Sequence, residues 1–221
     1  MEETRYLRPD KFIDSDAPSV VSFAREAVAT GRDDRERMIL LYNKVRDSIL
    51  YDAYVDFLDP ENYRASTVLA HGRGFCVGKA ALLSAGARAV GVPARVGYAD
   101  VRNHMTSPRL REMIKTDVFM WHSYSEIFLD GQWVKATPAF NSTLCDRLGI
   151  GVLEFDGRSD SLFQPLDRSG RRHMEYLVDR GAFADVPFEK ITADFTARYP
   201  ALPTFPKGKA DFQQEAVTGD G

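Results

Sequence analysis

Apolar residues follow a helical period in the first half of the chain and an alternating period in the second half. From Asp33 to Tyr51 they recur at three- and four-residue steps, which predicts an amphipathic helix with one buried face. A similar pattern runs from Ser19 to Thr30 and stops at Gly31, a residue type that commonly ends helices. The first half is therefore predicted to be helical.

A third helix is predicted from Cys76 to Val90, and its composition differs from that of the first two. It is built mainly from Ala, Leu and Gly, which indicates burial on most sides. The run Gly91-Val92-Pro93 ends it. Cys76 is the first residue of this helix and follows the sequence His71-Gly72-Arg73-Gly74-Phe75 directly.

The strands are predicted after this helix. Residues 94–102 alternate between apolar and polar positions. Val118–Leu129 and Gln132–Thr137 are predicted to form a hairpin around Asp130-Gly131, a strong turn signal. Further along, the pattern weakens apart from a helix at about Phe188–Arg198. Helices on one side of a later antiparallel sheet are typical of the α+β class.

The length of the chain supports one domain. At 221 residues it is long enough to bury a sizeable core, and residues 1–199 are predicted to form a single domain. The motif-bearing core spans about residues 33–141, and residues 142–199 extend it. Residues 200–221 contain several Pro and Gly and are predicted to be a mobile tail.

Composition and charge exclude several classes of function. A net charge of −3 gives no sign of a nucleic-acid or membrane partner. Two cysteines, Cys76 and Cys145, are too few for a disulfide framework, and no Cys and His spacing matches a metal site. No cofactor is predicted. Without a targeting segment or a long apolar run, the protein is expected in the reducing cytoplasm.

The surroundings of Cys76 are those of an activated thiol. A Gly-rich loop lets the backbone approach closely, and the N-terminus of a helix lowers the pKa of a thiol. His122, on the first strand of the hairpin, is the residue type that takes the proton from such a thiol. Cys76 is therefore predicted to be a nucleophile with His122 as its base, whereas Cys145 lacks this context and is predicted to be structural.

The predicted hairpin also nominates residues that orient His122. If the turn has two residues, His122 lies opposite Ala139. Its diagonal neighbours on the same face are then Thr137 and Asn141, at about 7–8 Å. A proline lies between them and cannot donate a ladder hydrogen bond. Geometry therefore favours Thr137, whereas chemistry favours the amide of Asn141.

Four motifs occur in order within residues 33–141. They are Gly72-Arg73-Gly74-Phe75-Cys76, Gly91-Val92-Pro93-Ala94-Arg95, Gly97-Tyr98, and the segment from His122 through Glu126 and Leu129-Asp130-Gly131 to Trp133. Together they resemble the core of the transglutaminase-like superfamily, with its Gly-x-Cys helix start, its Gly-(Ile/Val)-Pro-Ala-Arg stretch and its His-x-Trp-x-Glu hairpin. The resemblance covers roughly half of the chain.

The resemblance implies a papain-like fold and a Cys-His-Asp triad that performs acyl transfer. Cys76 and His122 match the first two positions, and the third is expected to be an Asp before a proline. This chain has Thr137 there. One outcome is a variant triad that uses Thr137 or Asn141. The others are a carboxylate from another segment, such as Asp156 or Asp160, and lost activity.

The expected activity is hydrolysis of an amide through a thioester, by a peptidase or amidase acting on a protein, a peptide or a small amide. An acyl-CoA-dependent transferase of the arylamine N-acetyltransferase kind is an alternative, since its Arg-Gly-Gly-x-Cys loop is weakly similar to Arg73-Gly74-Phe75-Cys76. A non-catalytic binding module is the third, because Thr137 replaces the acid.

Two further roles are predicted around the site. Arg95 is expected to form a structural ion pair, with Glu126 as its candidate partner. The backbone N–H of Cys76 is the natural first donor to an oxyanion. Candidates for the second donor are Asn62, Tyr63 and His71.

Overall fold

The structure is a computed structural model that describes residues 3–199, 201–202 and 212–215. Its helices are α1 (Pro18–Ala27), α2 (Asp34–Ser48), α3 (Ala65–His71), α4 (Cys76–Ala89), α5 (Pro108–Ile114), α6 (Ser142–Leu148), α7 (Phe188–Arg198) and α8 (Phe212–Glu215), with short 3-10 helices at Glu3–Leu7 and Pro60–Tyr63. Its strands are β1 (Leu50–Tyr51), β2 (Arg73–Gly74), β3 (Ala94–Asn103), β4 (Val118–Leu129), β5 (Gln132–Ala136) and β6 (Met174–Phe183). Most of the predicted tail, residues 200–221, lies outside the described residues.

One antiparallel sheet, with α4 packed against it, organises the fold. The strand order is β5-β4-β3-β6, and a separate parallel pair joins β1 to β2. Helix α4 is buried from Val77 to Arg88 and packs on β4 and β3, with α1, α2 and α3 around it. This arrangement confirms the α+β class. Among the described helices, none has the length and apolarity that crossing a membrane requires.

Helix α2 begins and ends for identifiable reasons. Asp33 caps its N-terminus by accepting a hydrogen bond from the backbone N–H of Glu36 at 2.9 Å. The helix ends at Ser48, earlier than the sequence pattern predicts, because Leu50–Tyr51 leave it to pair with Arg73–Gly74. This short parallel pair fixes the segment that leads into α4.

The hairpin forms with the predicted register near its turn. Leu129 pairs with Gln132, and the ladder continues to the pair of Ser125 and Ala136. The two turn residues, Asp130 and Gly131, both have positive φ, as a two-residue type I′ turn requires. The turn chemistry therefore sets the register, as predicted.

The hairpin ladder stops short of the candidate site. β5 ends at Ala136, so the predicted strand pairing of His122 with Ala139 does not form. Pro138 lacks the N–H that a longer ladder would need. Ala136 instead forms an isolated parallel bridge with Ser161.

The sequence pattern predicts α7 correctly but misses α6 and β6. β6 is an edge strand beside β3, and much of it is exposed. The charged residues Glu175, Asp179 and Arg180 interrupt its apolar positions, so the alternation is weak. Its inner positions nevertheless reach the candidate site through Tyr176.

The predicted ion pair of Arg95 is present. Its Nε lies 2.6 Å from Oε2 of Glu126, which is the residue directly opposite on β4. The guanidinium also lies 4.1 Å from the centre of the Trp133 ring. Arg95 therefore joins the strands at the end of the sheet away from His122.

Candidate active site

Cys76 is held at the start of α4 by the turn that precedes it. Gly72 ends α3 in the left-handed conformation, with a φ of 63°, which costs glycine little. Phe75 occupies the N-cap position in an extended conformation, and its side chain is buried. Cys76 follows as the first helical residue, where the backbone N–H groups have no partner within the helix.

His122 enters the site through an irregularity in β4. The preceding residue, Trp121, has a φ of 58°, which a bulky residue rarely adopts. The pairing with β3 shifts at this point, from Ala99 opposite His122 to Val101 opposite Phe119. A regular strand would place Trp121 and His122 on opposite faces. Here both line the same cavity.

That cavity also contains the side chain of Cys76, and its wall is predominantly apolar. Its volume is about 70 Å³, and half of the residues that line it are Phe, Tyr or Trp. Apart from the Tyr and Trp residues, the side chains with polar groups on the wall are those of Cys76, His122 and Asn103. The structure therefore brings the predicted nucleophile and base together in an apolar environment.

Burial holds both groups in their neutral forms. Burial raises the pKa of the Cys76 thiol to about 11, against the opposing effect of hydrogen bonds from the backbone N–H groups of Ser123, Val77 and Cys76. Burial lowers the pKa of His122 to about 4. Cys76 retains some exposed surface, but it opens into an enclosed cavity, which is why its thiol is nonetheless desolvated.

The imidazole of His122 is enclosed by aromatic rings. The ring centres of Phe163 and Tyr176 lie 5.2 and 6.1 Å from that of His122. Nε2 of His122 and Oγ1 of Thr137 are both buried and have no hydrogen-bond partner among the described residues. Burial raises the pKa of Tyr176, and the Thr137 hydroxyl opposes this rise from nearby, although the two groups lie outside hydrogen-bonding geometry. Sequence reasoning missed Phe163 and Tyr176.

The other candidates for orienting His122 bind elsewhere. Asn141 accepts a hydrogen bond from the backbone N–H of Tyr51 at 3.1 Å and donates to Oγ1 of Thr143 at 2.7 Å. Asp156 and Asp160 are exposed; Asp156 accepts hydrogen bonds from backbone N–H groups of the loop that follows it, and Asp160 accepts one from the backbone N–H of Lys135 on β5. Neither these three side chains nor that of Thr137 lines the cavity with His122.

The candidates for a second oxyanion donor also lie outside the cavity wall. The Tyr63 hydroxyl donates to the backbone oxygen of Phe57 at 2.7 Å, and Asn62 donates to that of Asp56 at 3.0 Å. His71 is exposed. The described residues contain no cluster of His, Cys, Asp and Glu that could hold a metal ion.

Comparison with solved structures finds the same fold in a protein from Cytophaga hutchinsonii described as a "putative cysteine protease". The TM-score is 0.55 at 14% identity, and the match covers 86% of this chain and 50% of that one. A "putative protease" from Parabacteroides distasonis gives a TM-score of 0.40 at 16% identity, covering 61% of this chain and 26% of that one. This chain therefore spans half or less of the length of these proteins.

Comparison at the level of sequence identifies the family. No curated protein matches the chain. The model of the transglutaminase-like superfamily, in contrast, matches residues 21–138, which is more than half of the sequence and contains both Cys76 and His122. A Cys at a helix start, a His on the adjoining sheet and this match agree, and the chain belongs to the transglutaminase-like superfamily.

Proposed function

We propose that this protein is a cysteine hydrolase that cleaves an amide bond through a thioester on Cys76. One observation carries the proposal: Cys76 and His122, from α4 and β4, line one enclosed cavity. The helix start supplies backbone N–H groups toward the sulfur. The reaction class is also in keeping with the fold, which this chain shares with a protein described as a cysteine protease.

In the proposed reaction, proton transfer accompanies the attack. Both groups are neutral before substrate binds, so His122 takes the thiol proton as the sulfur attacks the amide carbon. The tetrahedral intermediate collapses when His122 gives this proton to the departing amine, and a thioester remains. Water then attacks the thioester while His122 accepts its proton. Collapse releases the carboxylic acid and returns the proton to the sulfur.

Thr137 is proposed to orient the imidazole. Its hydroxyl is buried and has no hydrogen-bond partner among the described residues, whereas the amide of Asn141 is engaged by Tyr51 and Thr143. A hydroxyl can fix the tautomer of an imidazole but does not stabilise its positive charge as a carboxylate does. A neutral resting pair suits such a partner, because no charge has to be stabilised before substrate arrives.

A non-catalytic binding module is the second candidate. It is favoured by one observation: within the described chain no carboxylate pairs with His122. The acyl-CoA transferase has less support, because the residues that line the cavity include no Lys or Arg to meet phosphate groups.

Acylation of Cys76 distinguishes these candidates. In a Cys145→Ser background, the protein is mixed with a panel of p-nitroanilide amides, quenched in acid and digested. We expect the mass of the acyl group on the peptide that contains Cys76, together with release of p-nitroaniline. Replacement of Cys145, which is buried, serves as the control that only one thiol reacts. If no amide in the panel gives an acyl adduct on Cys76 or releases p-nitroaniline, the result would favour the non-catalytic binding module.

A further inference from the structure

A residue of the C-terminal segment closes one side of the cavity beside Cys76. Phe212, the first residue of α8, lines this cavity, and its ring meets those of Tyr51 and Tyr54 edge-to-face at centre distances of 5.4 Å. Phe212 also lines a second cavity of about 40 Å³. The ring therefore contributes to the walls of two neighbouring cavities, which also share Asn103, Leu110 and Phe140.

Gln213 fastens this segment to the rim of the site. Its side-chain Nε2 donates to the backbone oxygen of Tyr51 at 2.8 Å, and its backbone oxygen accepts from Nη1 of Arg147 at 2.6 Å. Gln213 is only half-buried, and hydrogen bonds that water can replace when they break contribute little net stability. Phe212 itself is only half-buried, in contrast to Phe12 in the core. The segment is thus bound weakly enough to be displaced.

The second cavity extends the apolar surface. Its wall includes Met105, Leu110, Leu148 and Ile150. If Phe212 withdraws, the two cavities join into one channel that begins at Cys76. A channel with this lining binds an apolar group by burial, and its ring edges and faces favour an aromatic one.

We propose that this channel binds an aromatic group of the substrate and that Phe212 occupies its place when substrate is absent. The proposal rests on the proposed function for the identity of the ligand as a substrate. The exchange of Phe212 for a ligand, however, can be observed without turnover.

The test follows alkylation of Cys76 by iodoacetamide in the Cys145→Ser background. We expect Phe212→Ala to increase the alkylation rate about tenfold, the factor expected from two lost ring contacts. Gln214→Ala is the matched control, since this side chain belongs to the same segment and is exposed. We expect N-acetylphenylalaninamide to protect Cys76 at a lower concentration than N-acetylalaninamide. The difference between the two protecting concentrations should be larger in Phe212→Ala than in the parent protein.

Equal alkylation rates in Phe212→Ala and Gln214→Ala, or equal protection by the two amides, would overturn this proposal. Selective protection without amide cleavage would leave the aromatic site standing and count only against the proposed hydrolysis. The two failures are therefore distinguishable.

A second inference rests on a different observation, the backbone of Trp121. Its N–H donates to Oδ1 of Asp100 at 3.1 Å, where β3 and β4 shift register. Arg180 of β6 binds both carboxylate oxygens of Asp100 and lies 4.5 Å from the centre of the Trp121 ring. Asp194 of α7 accepts from Nε1 of Trp121 at 2.8 Å and from Nη1 of Arg180 at 2.9 Å.

These contacts hold Trp121 in an unfavourable conformation. A left-handed φ at a bulky residue persists only where the surroundings enforce it, and such residues concentrate at functional sites. Here the backbone N–H and the indole ring are each bound by a separate element. Relaxation of Trp121 to a regular strand would restore the alternation of β4 and turn His122, the next residue, away from its present position.

We infer that Asp100 and Arg180 are positioning residues, which act through the backbone of Trp121 to keep the His122 imidazole in the cavity with Cys76. Asp100 and Arg180 touch neither reacting group. Their role is to place the His122 imidazole. This role is separate from the identity of the substrate.

Three variants test the inference. We expect Asp100→Leu to lower the rate of Cys76 acylation about 100-fold, as a displaced catalytic group does. Asp100→Asn keeps an oxygen acceptor for Trp121 and should lose less than about tenfold. Glu126→Leu breaks the ion pair with Arg95 that joins β3 to β4, and it is the matched control for a loss of stability alone.

The titration of His122, followed by NMR, provides a readout that a purely structural role would not change. In Asp100→Leu we expect its pKa to rise toward the ordinary value of about 6.5, because the ring leaves the cavity. Glu126→Leu should leave the pKa of His122 unchanged. Asp100 has no positioning role if Asp100→Leu and Glu126→Leu prove equivalent. In that outcome the two variants have the same thermal stability, the same loss in acylation rate and the same pKa of His122.

Discussion

Replacing Cys76 with alanine is expected to abolish amide cleavage and the acyl adduct, a loss of about 10⁴-fold or more in turnover. The thiol is the proposed attacking group, and no other described cysteine lines the cavity. The free energy of unfolding should change by less than about 1 kcal/mol, since one sulfur is removed from a partly exposed side chain. Turnover with each p-nitroanilide and thermal unfolding are measured on the same preparation.

The matched control is Cys145→Ser, which alters a buried thiol away from the cavity. It should leave turnover unchanged and lower stability instead, because a hydroxyl replaces a sulfur in the core. Undiminished cleavage by Cys76→Ala would refute the thioester mechanism altogether.

Acidification from pH 7 to pH 4 is expected to lower the free energy of unfolding by about 3 kcal/mol through His122 alone. Burial lowers the pKa of this residue to about 4 in the folded protein, whereas it is about 6.5 in the unfolded chain. Above pH 6.5 His122 is neutral in both states and has no effect. As the pH falls from 6.5 to 4, only the unfolded state gains the proton, so unfolding becomes more favourable.

The contribution is measured as a difference between proteins. Urea unfolding of wild type and of His122→Gln is compared at several pH values, because His173 is also buried with a lowered pKa and contributes to both slopes. His71→Gln, at an exposed position, is the control. Parallel stability curves for wild type and His122→Gln would show that the imidazole is more hydrated than its burial indicates.

Most of the scaffold could be predicted from local signals. The Asp130-Gly131 turn determines the register of the hairpin, and the small residues of α4 indicate its central burial. β6 could not be predicted from its pattern, because an edge strand exposes much of its length and accepts charged residues. A strand exposed to water along most of its length carries a weak periodic signal.

The residues of the candidate site likewise fall into those that local sequence predicts and those that it does not. Cys76 and His122 follow from motifs of contiguous residues, and the structure brings both to one cavity. The network that holds Trp121 joins Asp100, Arg180 and Asp194 across long stretches of sequence. No local pattern encodes such a network, because its members become neighbours only when the sheet forms. The positive φ at a tryptophan is likewise a product of tertiary contacts.

The volume of the cavity governs the lifetime of a thioester formed within it. About 70 Å³ is room for a few water molecules, and a bound acyl group displaces them. The water that completes hydrolysis must then enter after the amine has departed. In the proposed reaction, access past Phe212 would set the partition of the acyl group between water and a competing amine, and the same thiol would give cleavage or transfer according to which molecule reaches it first.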